Sequence, residues 1–165
     1  MIDSIYVEKS LQRRYKEQDL ITMFPMSTFT PITIETLINA PVERVWERYT
    51  KPEYVMQWNH ASDDWHSPKA ENDLRIGGTF SYRMEAKDGS FGFDFGGTYT
   101  DVKTNELIAY TMGDNRKVET TFATHGDETK VVVVFDAEEE NSVEMQRGGW
   151  QAILDNFKKC AESEL

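Results

Sequence analysis

From residue 30 onward the chain alternates apolar and polar positions in a way that predicts strands. Residues 30–39 (TPITIETLIN) are β-branched and partly alternating, and Pro31 suits the first residues of a strand or a sheet edge. Ala40-Pro41 interrupts that pattern. Val42, Val45, Trp46 and Tyr49 then recur at helical spacing, with Pro41 read as the first helical residue. Lys51-Pro52 ends this helix, and Pro52 starts a second short one that turns Tyr54, Val55 and Trp58 inward. Residues 59–73 show no period and read as an irregular polar stretch. Over residues 79–87, Phe80, Tyr82, Met84 and Ala86 alternate with Ser81, Arg83 and Glu85, and Asp88-Gly89 is the strongest hairpin signal in the chain. Phe91, Phe93, Phe95 and Tyr99 continue the alternation through residue 102. Further strands are predicted over 106–112, 117–124 and 129–137, separated by turns at Asn105, Gly113-Asp114-Asn115 and Gly126-Asp127. Short spacings with tight turns predict an antiparallel meander of about five strands.

The period then changes. Met145, Gly149, Trp150, Ile153, Leu154, Phe157 and Ala161 recur at three- and four-residue steps, a wide apolar stripe on a long C-terminal helix. Asn141 or Ser142 is its cap, Glu144 lies in its first turn, and Lys158 and Lys159 lie near its end. A sheet with one apolar face must cover that face, and this helix is the one element large enough. The fold class is therefore α+β: a curved antiparallel sheet gripping a long C-terminal helix, with two short helices after the first strand. Phe80, Tyr82, Met84, Phe93, Phe95, Tyr99, Phe122 and Phe135 face Trp150, Ile153 and Phe157 across the grip. A curled sheet and a straight cylinder fit imperfectly, so a cavity is expected between them. Its expected ligand is a hydrophobic or amphipathic small molecule, touched by those side chains other than Phe135, together with Trp58, His60 and Trp65.

Composition narrows the class. The 165 residues carry a formal net charge of −11, and 12% of them are aromatic. An acidic chain is not equipped to displace counterions from nucleic acid or to adhere to an anionic membrane. The two short helices thus resemble a helix–turn–helix in shape only. The longest apolar run, residues 131–135, is too short for membrane insertion. No secretory signal is evident, and the lone Cys160 makes a reducing compartment the default, so the expected location is cytoplasmic. At this mass about 70% of the chain's surface is buried on folding, enough for one core and one pocket.

Residues 1–28 differ from the rest. Ile5, Leu11, Tyr15 and Leu20 form only a thin, loosely helical apolar face among charged residues. This extension is expected to be a peripheral appendage, with a homodimer formed through it as the alternative, ahead of a domain spanning 29–165.

The run TIETLINAPVERVWERYTKPEYVMQW resembles the opening of the START-like helix-grip superfamily. Within it, the similarity is to the activator of heat shock protein 90 ATPase homologue domain. DLRIGGTFSYRMEAKDGSFGFDFGGTYTDVKTNELIAYT and GGWQAILDNFKK are similar to the same family's later markers, so the resemblance spans residues 30–159. WNHASDDWH is similar to a polyketide-cyclase-like subgroup. The resemblance implies the helix-grip fold and a hydrophobic cavity. It does not imply one activity, since members bind apolar ligands, catalyse cyclisation or dehydration, or assist chaperones. The chain lacks the extra domain that eukaryotic activators place before the grip, which argues against direct ATPase stimulation.

The densest polar cluster is His60-Ala61-Ser62-Asp63-Asp64-Trp65-His66. His60 is suited to acid–base work near neutral pH with Asp63 or Asp64 orienting it, and His60, Asp64 and His66 are candidate catalytic residues on that reading. As zinc ligands they match no standard signature. As structure they would cap turns, the commoner role for such clusters. No cofactor and no metal are expected. Gly77-Gly78 and Gly96-Gly97 lack the Lys-Ser/Thr of a phosphate loop and read as bulges or close backbone approaches. Gly148-Gly149, inside the last helix, suggests a packing reason beside Trp150. Arg83 and Glu85 read as a solvated face.

Overall fold

The computed structural model describes residues 28–164. The extension read over residues 1–28, with its dimer alternative, lies almost wholly outside them. Strand β1 (Pro31–Ile38) is followed by helices α1 (Val42–Thr50) and α2 (Pro52–Trp58). Six strands come next: β2 (Trp65–Asn72), β3 (Thr79–Ala86), β4 (Gly92–Lys103), β5 (Leu107–Thr111), β6 (Lys117–His125) and β7 (Glu128–Asp136). Helix α3 (Val143–Glu162) closes the order. The strands form one curled antiparallel sheet in the order β1-β7-β6-β5-β4-β3-β2. The fold is the α+β helix grip.

Local chemistry explains each boundary. Pro41 is the N-cap of α1 in extended conformation (ψ 153°), one residue earlier than its expected first-helical place. Pro52 does start α2. Trp58 Nε1 donates to the Arg48 carbonyl at 2.9 Å, locking the corner between the two helices. At the head of α3, Ser142 Oγ accepts from the Met145 amide at 3.1 Å. Met145 itself is 65% exposed, so it drops out of the predicted stripe, which begins at Gln146 and Trp150.

The stretch 59–73 is not irregular throughout: Trp65–Asn72 is the edge strand β2. Its register with β3 slips between His66 and Lys69, around Pro68. A bulge with a proline on an edge strand erases the period of two by which strands are recognised.

The other edge is guarded from above. Arg147 Nη1 donates to the Thr33 carbonyl at 2.9 Å, Gln151 Nε2 donates to the Glu35 carbonyl at 3.3 Å, and Glu162 Oε1 accepts from the Asn39 amide at 2.8 Å. Polar groups of α3 thus satisfy the open side of β1 and block its pairing with another strand.

The core holds Ile32, Val45, Val55, Val118, Val131, Phe135 and Phe157, each 2% exposed or less. α3 is not the sole cover of the sheet. α1 lays Trp46 and Tyr49 against Phe122 with ring centroids 5.2 and 5.3 Å apart. Among the described residues no helix is long and apolar enough to cross a membrane.

Candidate functional site

A cavity of about 360 Å³ lies between the sheet and α3. Its floor is built by alternation. Phe80, Tyr82 and Met84 project from β3, Phe93, Phe95 and Tyr99 from β4, and Ile108 and Tyr110 from β5. The register sets Tyr82 opposite Phe95 and Met84 opposite Phe93. Phe80 faces Gly97, where a Cβ would stand 3.3 Å from the Phe80 ring and 3.0 Å from the Tyr110 ring. That gap lets the two rings meet edge to face at 4.7 Å. A Cβ on Gly96 would stand 2.5 Å from the Phe80 carbonyl oxygen, so this is a close backbone approach, as its sequence setting predicts. The roof is Trp150, Ile153, Leu154 and Phe157. Trp150 is held flat by a stack on Phe135, centroids 4.0 Å apart and planes 8° apart.

The two ends differ. At one, Gln146 is a clamp: its Oε1 accepts from the Glu138 amide, and its Nε2 donates to the carbonyls of Glu138 and Asn141 at 3.1 and 2.8 Å. This fixes the segment before α3 over the opening, next to Arg116. Arg116 Nε is bonded to Asp114 Oδ2 at 2.7 Å. Hydrogen bonds from Asn141 and the neighbouring backbone hold the Glu138 carboxyl below the usual range. At the other end lie Tyr49, Thr50, Trp58, Asn59 and Asn72. Asn72 Nδ2 donates to the Thr50 carbonyl at 2.7 Å, and Tyr99 Oη donates to Asn72 Oδ1 at 2.6 Å. Burial raises the phenol pKa of Tyr49, Tyr82, Tyr99 and Tyr110, so all four are neutral at physiological pH.

Of the side chains expected to touch a ligand, Trp58, Phe80, Tyr82, Met84, Phe93, Phe95, Tyr99, Trp150, Ile153 and Phe157 surround this space. Phe122, Trp65 and His60 do not. Phe122 is sealed beneath α1. Trp65 packs its ring with Phe91 and Phe93 at 6.1 and 6.2 Å at the exposed margin of the floor, outside the lining itself. His60 sits past the end of α2, its carbonyl accepting from Asn156 Nδ2 at 2.6 Å and its Nδ1 buried without a hydrogen bond. Burial, and then the charge of Lys87, lower its pKa.

The other two candidate catalytic residues are also outside the cavity lining. Asp64 Oδ1 accepts from Ser62 Oγ at 2.5 Å, a turn contact. His66 Nε2 lies 3.2 Å from Glu85 Oε1, and Glu85 Oε2 accepts from Arg83 Nε at 3.0 Å. On this partly solvated face Arg83 and Glu85 form an ion pair, with His66 within hydrogen-bond distance of Glu85. Among the described residues no three His, Cys, Asp or Glu side chains gather in a metal-binding group. A Cβ on Gly148 or Gly149 would meet nothing within 4 Å, so neither glycine is demanded by a close neighbour.

Sequence reasoning missed the polar wall: Thr50, Asn59, Asn72, Arg116 and Gln146. No periodicity marks these residues, which reach the cavity from loops, helix ends and strand ends. Tyr49 and Tyr110 did carry a signal, since each continues an inward-facing apolar series.

The profile of the family described as Activator of Hsp90 ATPase homolog 1-like protein matches residues 39–162. An AHSA1-like protein from Aeromonas hydrophila, solved in solution, is 43% identical with a TM-score of 0.76, the match covering 81% of this chain and 92% of that one. Chr148 from Cytophaga hutchinsonii, also a solution structure, is 53% identical with a TM-score of 0.70 over 78% of this chain and 89% of that one. A crystal structure from Chromobacterium violaceum, 23% identical, has a TM-score of 0.73 over 81% and 98%, a likeness of fold alone. No curated protein matches the chain. Profile, identity and the gripped helix agree: the chain belongs to the family of Activator of Hsp90 ATPase homolog 1-like proteins.

Proposed function

We propose that this protein binds an apolar or amphipathic small molecule between its sheet and α3 without transforming it. The observation that carries this reading is the space of about 360 Å³ left among side chains that could have filled it. Protein interiors are close-packed, so an unfilled aromatic chamber of this size calls for an occupant. An apolar cavity of about 150 Å³ accommodates benzene, so this one has room for two or three fused rings or a folded chain. Trp58, Phe80, Tyr82, Met84, Phe93, Phe95, Tyr99, Trp150, Ile153 and Phe157 are the proposed contacts. A cyclase or dehydratase would need an acid or base at the cavity wall. His60, Asp64 and His66 stand outside the lining, and the Glu138 carboxylate that does line it is engaged by Asn141 and backbone amides, which favours binding over turnover.

Naphthalene is a suitable probe, followed through amide and aromatic shifts of the labelled protein. Saturable changes confined to Phe80, Tyr110, Trp150 and their neighbours are expected. Ile153→Phe, which places a ring in the same space, should lower the affinity at least tenfold. Absence of any saturable change in the native protein would overturn the reading.

A further inference from the structure

The α1–α2 end of the cavity has a hydrogen-bond direction. The Thr50 carbonyl can only accept, so Asn72 must present its Nδ2 there, at 2.7 Å. That leaves Asn72 Oδ1 toward Tyr99, and Tyr99 must spend its single proton on it, at 2.6 Å. The Tyr99 oxygen is then left with lone pairs only. Tyr82 also lines the cavity. The buried Tyr99 phenol is thereby made an acceptor by the Thr50 carbonyl, two hydrogen bonds away.

One further polar group lacks a partner. Asn59 is 5% exposed and lines the cavity, and its Nδ2 makes no hydrogen bond. Buried polar groups are rarely left in this state, because each costs its desolvation without return. Among the described residues no charged side chain lines this end. The charged groups of the lining, Arg116 and Glu138, belong to the Gln146 end, where Arg116 is already paired to Asp114.

Resting on the binding reading above, we propose that the α1–α2 end of the cavity selects a neutral aromatic or fused-ring ligand carrying a hydroxyl. This group donates to the lone pairs of Tyr99 and can accept from Asn59. A carboxylate fits badly. It has no proton to give that oxygen and finds no cation at this end, and burying an unpaired charge is costly. A plain hydrocarbon fits the aromatic walls but leaves the polar groups unanswered.

Three probes of one ring system separate these cases: 2-naphthol, naphthalene and 2-naphthoate, titrated at neutral pH by calorimetry and by shifts of the labelled protein. The expected order is naphthol about tenfold tighter than naphthalene, with naphthoate weakest, tenfold being the scale of one well-made buried hydrogen bond. Tyr99→Phe should bring the naphthol-to-naphthalene ratio toward one. Equal binding of naphthol and naphthalene would overturn the selection while leaving the cavity as a binding site. Tighter binding of naphthoate would overturn it in favour of a head group at Arg116. Binding of none of the three would remove the binding reading and this inference together. A ratio unchanged in Tyr99→Phe would overturn the assignment of the hydroxyl to Tyr99.

Discussion

The inner face of the sheet has two regions made from the same kind of sequence, and only one of them is solid. Over β6 and β7, Phe122, Val118 and Val131 alternate inward, and all are 5% exposed or less. Over β3, β4 and β5, Phe80, Tyr82, Phe95, Tyr99 and Tyr110 alternate inward in the same way, yet their rings wall a cavity. The difference lies in what comes down from above. α1 brings Trp46 and Tyr49 into edge contact with Phe122. Over the other region α3 offers Trp150, which stacks on Phe135 and meets Phe95 edge to face at 5.8 Å, and Ile153, and these leave the space open. Inward alternation thus specifies an apolar face, while the covering element decides whether that face becomes core or chamber.

Matched truncations test this contrast most strongly. Phe122→Ala is expected to cost about 3–5 kcal/mol in chemical denaturation, the usual loss for a large aromatic in a closed core. Phe95→Ala, already beside open space, should cost about 1–2 kcal/mol, within the ordinary range for single substitutions. Equal losses would erase the distinction between the regions. Gly149→Ala should stabilise the protein by up to about 1 kcal/mol, because alanine is the better helix former and its Cβ has room. A loss of stability there would mean that the roof is tighter than its geometry. Ile153→Phe should change stability by less than about 1 kcal/mol, since the added ring enters a void and not packed atoms. A large penalty would show that the chamber does not admit it.

The smallest effect concerns His60, outside both regions. Burial lowers its pKa in the folded protein, so the unfolded chain takes up a proton first as pH falls. Its contribution to stability is therefore present above the ordinary histidine value of 6.5 and lost as pH falls from there to the lowered value. His60→Gln should flatten the pH dependence of the denaturation midpoint in that window. An unchanged slope would assign the acid sensitivity elsewhere.

Legibility followed periodicity. β3, β4, β6, β7 and α3 were readable because Phe80-Tyr82-Met84, Phe93-Phe95, Val118-Thr120-Phe122 and Val131-Val133-Phe135 keep a period of two, while Trp150-Ile153-Leu154-Phe157 keeps that of a helix. β2 was not, because Pro68 and its bulge break the alternation on an edge strand. Trp65 looked like a cavity residue from its place near Trp58, but β2 turns it onto Phe91 and Phe93. The hydrophobic wall of the candidate site was largely visible in this way. The polar wall was not, because Thr50, Asn59 and Asn72 come from three breaks in the pattern and meet only through the fold.

By itself the sequence determined the fold class, the hand-and-helix arrangement and which faces are apolar, since these depend on local period, turn chemistry and capping. Only the tertiary structure decided that Phe122 is core and Phe95 is wall, that His60, Asp64 and His66 stand clear of the chamber, and that Tyr99 points its proton away from it. Those outcomes depend on distances between segments far apart in the chain. Neither a residue's own preferences nor those of its neighbours encode the shape of the gap left when a curved sheet closes on a straight helix.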